Sequence, residues 1–390
     1  MKKLLLSILL TLLPLLASAE TVEIDGILYN IVTKGNYAEV VRKFSGKYSG
    51  DITIPEKVKY EGVECIVTKI GDNAFANCVG LTSVTIPVSV TSIGTKAFEG
   101  CSLTSIIIPN NVTSIGSYAF RYCSELTSAT LGQSVTFIGN NAFDGCYNLT
   151  SANIPNGVTK IGNSVFYSCR LTSVIIPNSV TTIGSSAFSG CDFTSITIPK
   201  SVTSIESTAF AFCEKLSDVY SLPEQVREGS WSGDGLYTQE SAFSESYPEF
   251  ITLHVPAASI DAYRSTAPWS KFKAIVALED GDKPKIEKCA TPEISYENGR
   301  VKFTCETQDV EYISSVTLAD EHNYYDDEIQ LSQKYKITVY ATKAGYENSN
   351  VSTREIVIEN GPTTLFGDLN KDGKVNVADH VKLSDIIMNK

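Results

Sequence analysis

The chain has 390 residues, 43% of them hydrophobic, with 32 basic and 44 acidic side chains and a formal net charge of −12. That length can hold two or three domains with ample core, and the acidity makes nucleic acid and anionic membrane surfaces poor partners. Lys2 and Lys3, the apolar stretch Leu4 to Leu16 and the small residues Ala17-Ser18-Ala19 follow one another in the order of an export signal. Residues 1–19 are therefore read as a signal peptide, and its removal takes the net charge from −12 to −14. The apolar stretch is short for a bilayer span and Pro14 interrupts it. No Cys follows the cleavage pattern, which argues against a lipoprotein. With no other long apolar run, no transmembrane segment is expected, and the mature chain is placed outside the cytoplasm: periplasmic, cell-surface or extracellular.

Residues 20–59 contain a strand-like IDGILYNIV stretch and a DITIPEKV half-unit, read as an N-terminal cap. From 60 to 221 self-similarity dominates. Phe75, Phe98, Phe120, Phe143, Phe166, Phe188 and Phe210 recur at steps of 22 or 23 residues. Within a unit, Leu81, Val84 and Ile86 set three apolar side chains inward from a short strand, which Pro87 ends because it has no N–H to donate. Val90 to Ile93 lead through Gly94 into Ala97-Phe98, where one turn of helix is expected. No unit can hide its apolar edge alone, so units must stack, with their strands in one parallel sheet along a solenoid.

Cys78, Cys101, Cys123, Cys146, Cys169, Cys191 and Cys213 keep the same pitch. A cysteine at one fixed place in a stacked repeat reads as a small buried apolar residue. Pairing between adjacent units stays open, since neighbouring coils bring Cα atoms within disulfide range. No CxxC or Cys/His zinc spacing is present.

The returning IP...V..IG..AF..C pattern closely resembles the BspA-like class of leucine-rich repeats over roughly residues 50–220. The resemblance implies an exported or surface protein that binds a partner. Gly132 replaces the proline of one unit, Glu206 the glycine of another and Phe193 a leucine.

Between the inward strand residues, two columns should face outward, because side-chain direction alternates. One reads Ser83, Ser105, Ser128, Ser151, Ser173, Ser195 and Asp218, the other Thr85, Ile107, Thr130, Asn153, Ile175, Thr197 and Tyr220. This wall is small, hydroxyl-rich and nearly uncharged. It serves either as a binding face for a protein or glycan, or simply as solvated strand surface. Its shortage of aromatic platforms favours a protein partner over a carbohydrate.

Residues 222–280 read as a C-terminal cap and degenerate last repeat, with Trp269 and Phe272 sealing the core. After GDKPK, the alternating strand segments of residues 286–360 resemble the small fibronectin-like module at the C terminus of chitobiase and hexosaminidase enzymes, an accessory β-sandwich. Asn298-Gly299 is a two-residue hairpin turn. It sets Cys305 opposite Pro292 and leaves Cys289 about 10 Å further along, outside easy disulfide range.

In residues 366–390, Asp368, Asn370, Asp372, Lys374, Asn376 and Asp379 fall at positions 1, 3, 5, 7, 9 and 12 of a calcium loop, with Gly373 at the turn. Calcium suits this set because it takes six to eight oxygens in a flexible shell. The segment resembles one half of a type I dockerin, which implies Ca2+ binding. A full dockerin carries two such loops, so cohesin docking does not follow.

The fold class expected is therefore a leucine-rich-repeat solenoid with a parallel β-sheet and short helical turns, then a small antiparallel β-sandwich, then a calcium loop and helix. The function expected is non-catalytic binding or adhesion to a host or microbial surface protein. The alternative is a non-catalytic part of a carbohydrate-binding or glycan-degrading assembly joined through the dockerin-like tail. An enzyme is disfavoured: His254, His322 and His380 are scattered, and no HExxH or GxSxG pattern occurs.

Overall fold

The structure, a computed structural model, describes residues 19–227, 235–278, 289–297, 300–308, 311–318, 332–342, 349 and 352–359. The signal segment up to residue 18 and the calcium-loop segment 366–390 lie outside the described residues.

Stacked coils make up the repeat region, and most contribute three pieces that line up with those of their neighbours. The first piece is a wall strand. Ser49–Thr53 pairs in parallel with Gly80–Thr85; Ser105–Ile107, Ser128–Thr130 and Ser151–Ala152 form a second parallel group. Ser195–Ile198, Asp218–Ser221, Thr252–Val255 and Ala274–Ala277 form a third. The second piece is a two-residue ridge strand, such as Ser92–Ile93 between Val63–Ile70 and Ser114–Ile115. The single parallel sheet expected from sequence is thus two series of parallel strands, and each series is interrupted along the array.

The third piece is the corner that carries the phenylalanine, and it is not the expected turn of helix. The N–H groups of Asn73, Phe75 and Asn77 reach across to the carbonyls of Thr95, Ala97 and Glu99 on the next coil, at 2.9, 2.7 and 2.6 Å. Those of Ala74, Ala76 and Cys78 turn back on Gly71, Asn73 and Phe75 within their own coil. A helix would need every amide to bond four residues back in its own segment; here every second one reaches the next coil. The geometry demands left-handed backbone at two places per corner, for example Lys96 and Gly100 (φ 57° and 66°) and Tyr118 and Tyr122 (φ 61° and 57°).

The core runs the length of the stack. From Phe75 through Phe98, Phe120, Phe143, Phe166, Phe188 and Phe210 to Phe243, successive ring centroids are 5.0–5.7 Å apart with planes within 14° of parallel. Burying each such side chain is worth about 1.5–3 kcal/mol, which a lone coil could not obtain. Tyr48 closes one end, 4.6 Å from Phe75, with its hydroxyl accepting from the Leu28 N–H and donating to the Val41 carbonyl. At the other end Trp269 and Phe272, both buried, lie 5.4 and 5.2 Å from Phe243.

The seven repeat cysteines, Cys78 to Cys213, are unbridged thiols. In the repeats they do more than fill space: the Sγ of Cys101, Cys123, Cys146 and Cys169 donates to the carbonyl of the phenylalanine one coil back, at 3.1–3.2 Å. Burial pushes the Cys101 and Cys213 thiols up to about 12, and that of Cys146 well above its ordinary value.

Beyond the repeats, Glu293–Glu297 pairs antiparallel with Arg300–Thr304. The strands Glu311–Leu318, Ser332–Thr342 and Ser352–Glu359 form a second antiparallel sheet. Ile294, Ile337, Val339 and Ile356 share a separate small core. The register Glu297↔Arg300 extrapolates to Cys305 facing Pro292, and the Cys305 thiol donates instead to the Ala290 carbonyl at 3.1 Å.

Candidate binding surface

The wall positions do not all behave as the alternation predicts. Ser83, Thr85, Ser105 and Ser195 are exposed, and Ile107 is 43% exposed. Ser128, Ser151, Thr197, Asp218 and Tyr220 are half-buried. Thr130, expected outward and open, is buried at 5% exposure. Beside it, the Asn153 side chain takes over the role of a strand backbone: its Oδ1 accepts from the Leu131 N–H at 2.6 Å, and its Nδ2 donates to the Leu131 carbonyl at 2.8 Å. Asn153 is therefore committed to the scaffold. Ser173 and Ile175 are half-buried on a segment that joins no strand.

Near the C-terminal end the wall gains residues that sequence reasoning left out. Asp218 and Tyr220 stand opposite Thr252 and His254 on the next strand, which stand opposite Ala274 and Val276. His254 is no lone residue. Its Nε2 lies 2.9 Å from Asp218 Oδ1, and its ring stacks on Tyr220 with centroids 4.4 Å apart. The Ser217 hydroxyl donates to the other Asp218 oxygen at 2.7 Å. Burial alone would raise the Asp218 carboxyl, but these hydrogen bonds outweigh it and hold the group below its usual value. The sequence did carry a signal, since LHVP at Leu253–Pro256 repeats the end of a wall strand.

The Asp218–His254 pair is the closest approach to a catalytic pairing on the wall, and its geometry does not suit proton transfer. With Nε2 on Asp218, the nitrogen left for a substrate is Nδ1, which is enclosed and unpartnered. Among the described residues, no group of three or more His, Cys, Asp and Glu side chains is placed to hold a metal ion. None of their helices is long and apolar enough to cross a membrane.

A second surface lies on the corner side. Tyr122, Tyr147 and Tyr167 are 45%, 53% and 40% exposed on three consecutive coils. The Arg121 guanidinium lies 4.3 Å from the Tyr122 ring and 5.3 Å from that of Tyr118, and is fixed by Asp144 at 3.0 Å.

A stack of coils of 22 or 23 residues, with short parallel wall strands around a continuous apolar spine, defines a leucine-rich-repeat solenoid. Residues 43–170 and 136–232 match the model of the BspA type leucine rich repeat region, in six copies. The repeat region of this chain is thus similar to the BspA type. Among solved structures, a leucine rich cell surface protein from Faecalibacterium prausnitzii is 22% identical, over 68% of this chain and 96% of its own, with a TM-score of 0.38. A leucine-rich repeat protein from Bacteroides ovatus is 24% identical over 66% of this chain and 76% of its own, TM-score 0.36. The Leucine Rich Repeat protein of T. pallidum is 23% identical over 52% of this chain and 86% of its own, TM-score 0.36. Comparison with curated proteins gives no match.

Proposed function

We propose that this is an exported, non-catalytic binding protein whose wall engages a surface protein of a host or a neighbouring microbe. The observation that carries the reading is the Asp218, Tyr220 and His254 group. A hydroxyl-rich wall with little charge ends in a held acid, a held imidazole and a stacked tyrosine, and tyrosine is among the side chains enriched at the energetic centres of protein interfaces. The test is saturable binding of the labelled mature chain to host epithelial cells, compared with a Thr85→Arg/Thr197→Arg variant that blocks the wall without touching the core. Binding lost in the variant, with its circular dichroism unchanged, supports the reading; equal binding by both forms refutes it.

The three exposed tyrosines on the corner side favour a second reading, in which a glycan stacks on that face. A glycan array probed with the mature chain and with Tyr122→Ala/Tyr147→Ala separates the two. The reading also includes one calcium ion held by Asp368, Asn370, Asp372, Lys374, Asn376 and Asp379 in the tail. Calorimetric titration of the chelator-treated chain with Ca2+ tests it, and absence of one-site binding removes the ion from the account.

A further inference from the structure

Three lines of hydrogen bonds tie each coil to the next: the wall ladder, the ridge ladder and the corner bonds. Between the coils of Phe98 and Phe120 all three hold. Between those of Phe75 and Phe98 the wall ladder thins to one bond, Thr104 N–H to the Thr82 carbonyl at 3.4 Å, but the ridge pair Ile70↔Ile93 remains. Between the coils of Phe143 and Phe166 both ladders lapse together. The ridge strands Phe137–Ile138 and Lys160–Ile161 belong to different sheets, and Ser151–Ala152 has no wall strand following it. What crosses lies at the corner: the N–H groups of Asn141, Phe143 and Gly145 reach the carbonyls of Asn163, Val165 and Tyr167, each at 2.9 Å, the Asn163 N–H reaches Asn140 Oδ1 at 2.9 Å, and the Cys169 thiol reaches the Phe143 carbonyl at 3.2 Å.

A further distance agrees. A Cβ added at Gly162 would stand 3.5 Å from the nearest backbone atom of the preceding coil, whereas at Gly116, Gly139 and Gly184 the distance is 2.5, 2.3 and 2.8 Å. Threonine hydroxyls that step from coil to coil, Thr136 to the Thr113 carbonyl and Thr181 to that of Thr159, skip this junction. The coil differs from all the others at one core position. Fully buried Val165 stands where the rest carry alanine, such as Ala142 and Ala187. Two extra methyl groups in a close-packed interior must displace something.

We infer that this junction is a joint: the corner bonds act as pivot, and the two halves of the array bend about it, changing the curvature of the wall. The inference is independent of what the wall binds. Its test uses the full chain with spin labels attached through a non-cysteine handle at exposed wall-side pairs. Thr127 and Thr194 straddle the joint, whereas Thr53 and Thr127 lie in one half, both pairs three coils apart. The pulsed-EPR distance distribution should be at least twofold broader for Thr127/Thr194, and Val165→Ala should narrow it towards that of Thr53/Thr127. In the same chain the amides of residues 159–162 should exchange at least tenfold faster than those of 113–116. Equal widths for the two pairs in the parent chain would overturn the joint, as would equal protection of the two sets of amides; both readouts need no variant to fold.

Discussion

The thiol of Cys123 donates to the carbonyl of Phe98 at 3.1 Å, and the same carbonyl accepts the Cys101 N–H at 3.2 Å. Both lone pairs of a buried oxygen are thereby used, one from its own coil and one from the next. This gives the cysteine a reason beyond size, because an alanine would leave the oxygen half-satisfied. Cys146→Ala should therefore destabilise by about 1–2 kcal/mol, the sum of a small void and a lost weak bond. Urea unfolding of the two forms checks this, with no loss of midpoint arguing against the thiol bond.

The same burial makes stability fall in alkali. Cys101 and Cys213 are raised from 9.0 to about 12 and Tyr48 from 10.0 to about 12, so between these values the folded chain keeps protons that the unfolded chain releases. Their contribution is fully present below pH 9 and is lost as pH rises from 9 towards 12. Urea midpoints measured from pH 7 to 11 should be flat to about 9 and then drop. Native-state thiol titration at pH 8 should find Cys305, the one half-buried cysteine, reacting first.

At the second left-handed corner position, Gly100, Gly145 and Gly190 have φ of 66°, 71° and 77°, while Phe212 holds φ 57° with 53% of its surface exposed. A side chain with a Cβ pays about 1–2 kcal/mol for that backbone, partly offset by the entropy that glycine loses on folding. Phe212→Gly should raise stability by about 0.5–1 kcal/mol, read as a higher melting temperature.

Asn153 offers a sharper test of the scaffold. Its amide both donates to and accepts from the Leu131 peptide. Asn153→Ala should cost about 1–3 kcal/mol by removing both of these bonds from a buried peptide. Asn153→Asp should cost more, since it sets a half-buried carboxylate oxygen against the Leu131 carbonyl oxygen, which repels it. Equal stability of Asn153→Asp and the parent would show that the amide makes no such pair.

The spine was legible because it repeats: a phenylalanine every 22 or 23 residues can only serve a stack. The corner was not, because Lys96, Tyr118 and Thr208 adopt left-handed backbone that nothing in their residue types announces. His254 was missed as part of the wall since some thirty residues without the repeat pattern separate it from Tyr220, although the chain returns it to the adjacent strand. The joint escaped notice because alanine to valine looks conservative in a sequence and is not so at a position of zero exposure.

The most direct measurement is a crystal structure of residues 20–390. The account predicts phenylalanine rings from Phe75 to Phe243 stacked 5.0–5.7 Å apart, parallel wall strands and reduced repeat cysteines. Rings turned to solvent, antiparallel pairing within residues 80–255, or disulfides joining successive repeats would contradict it.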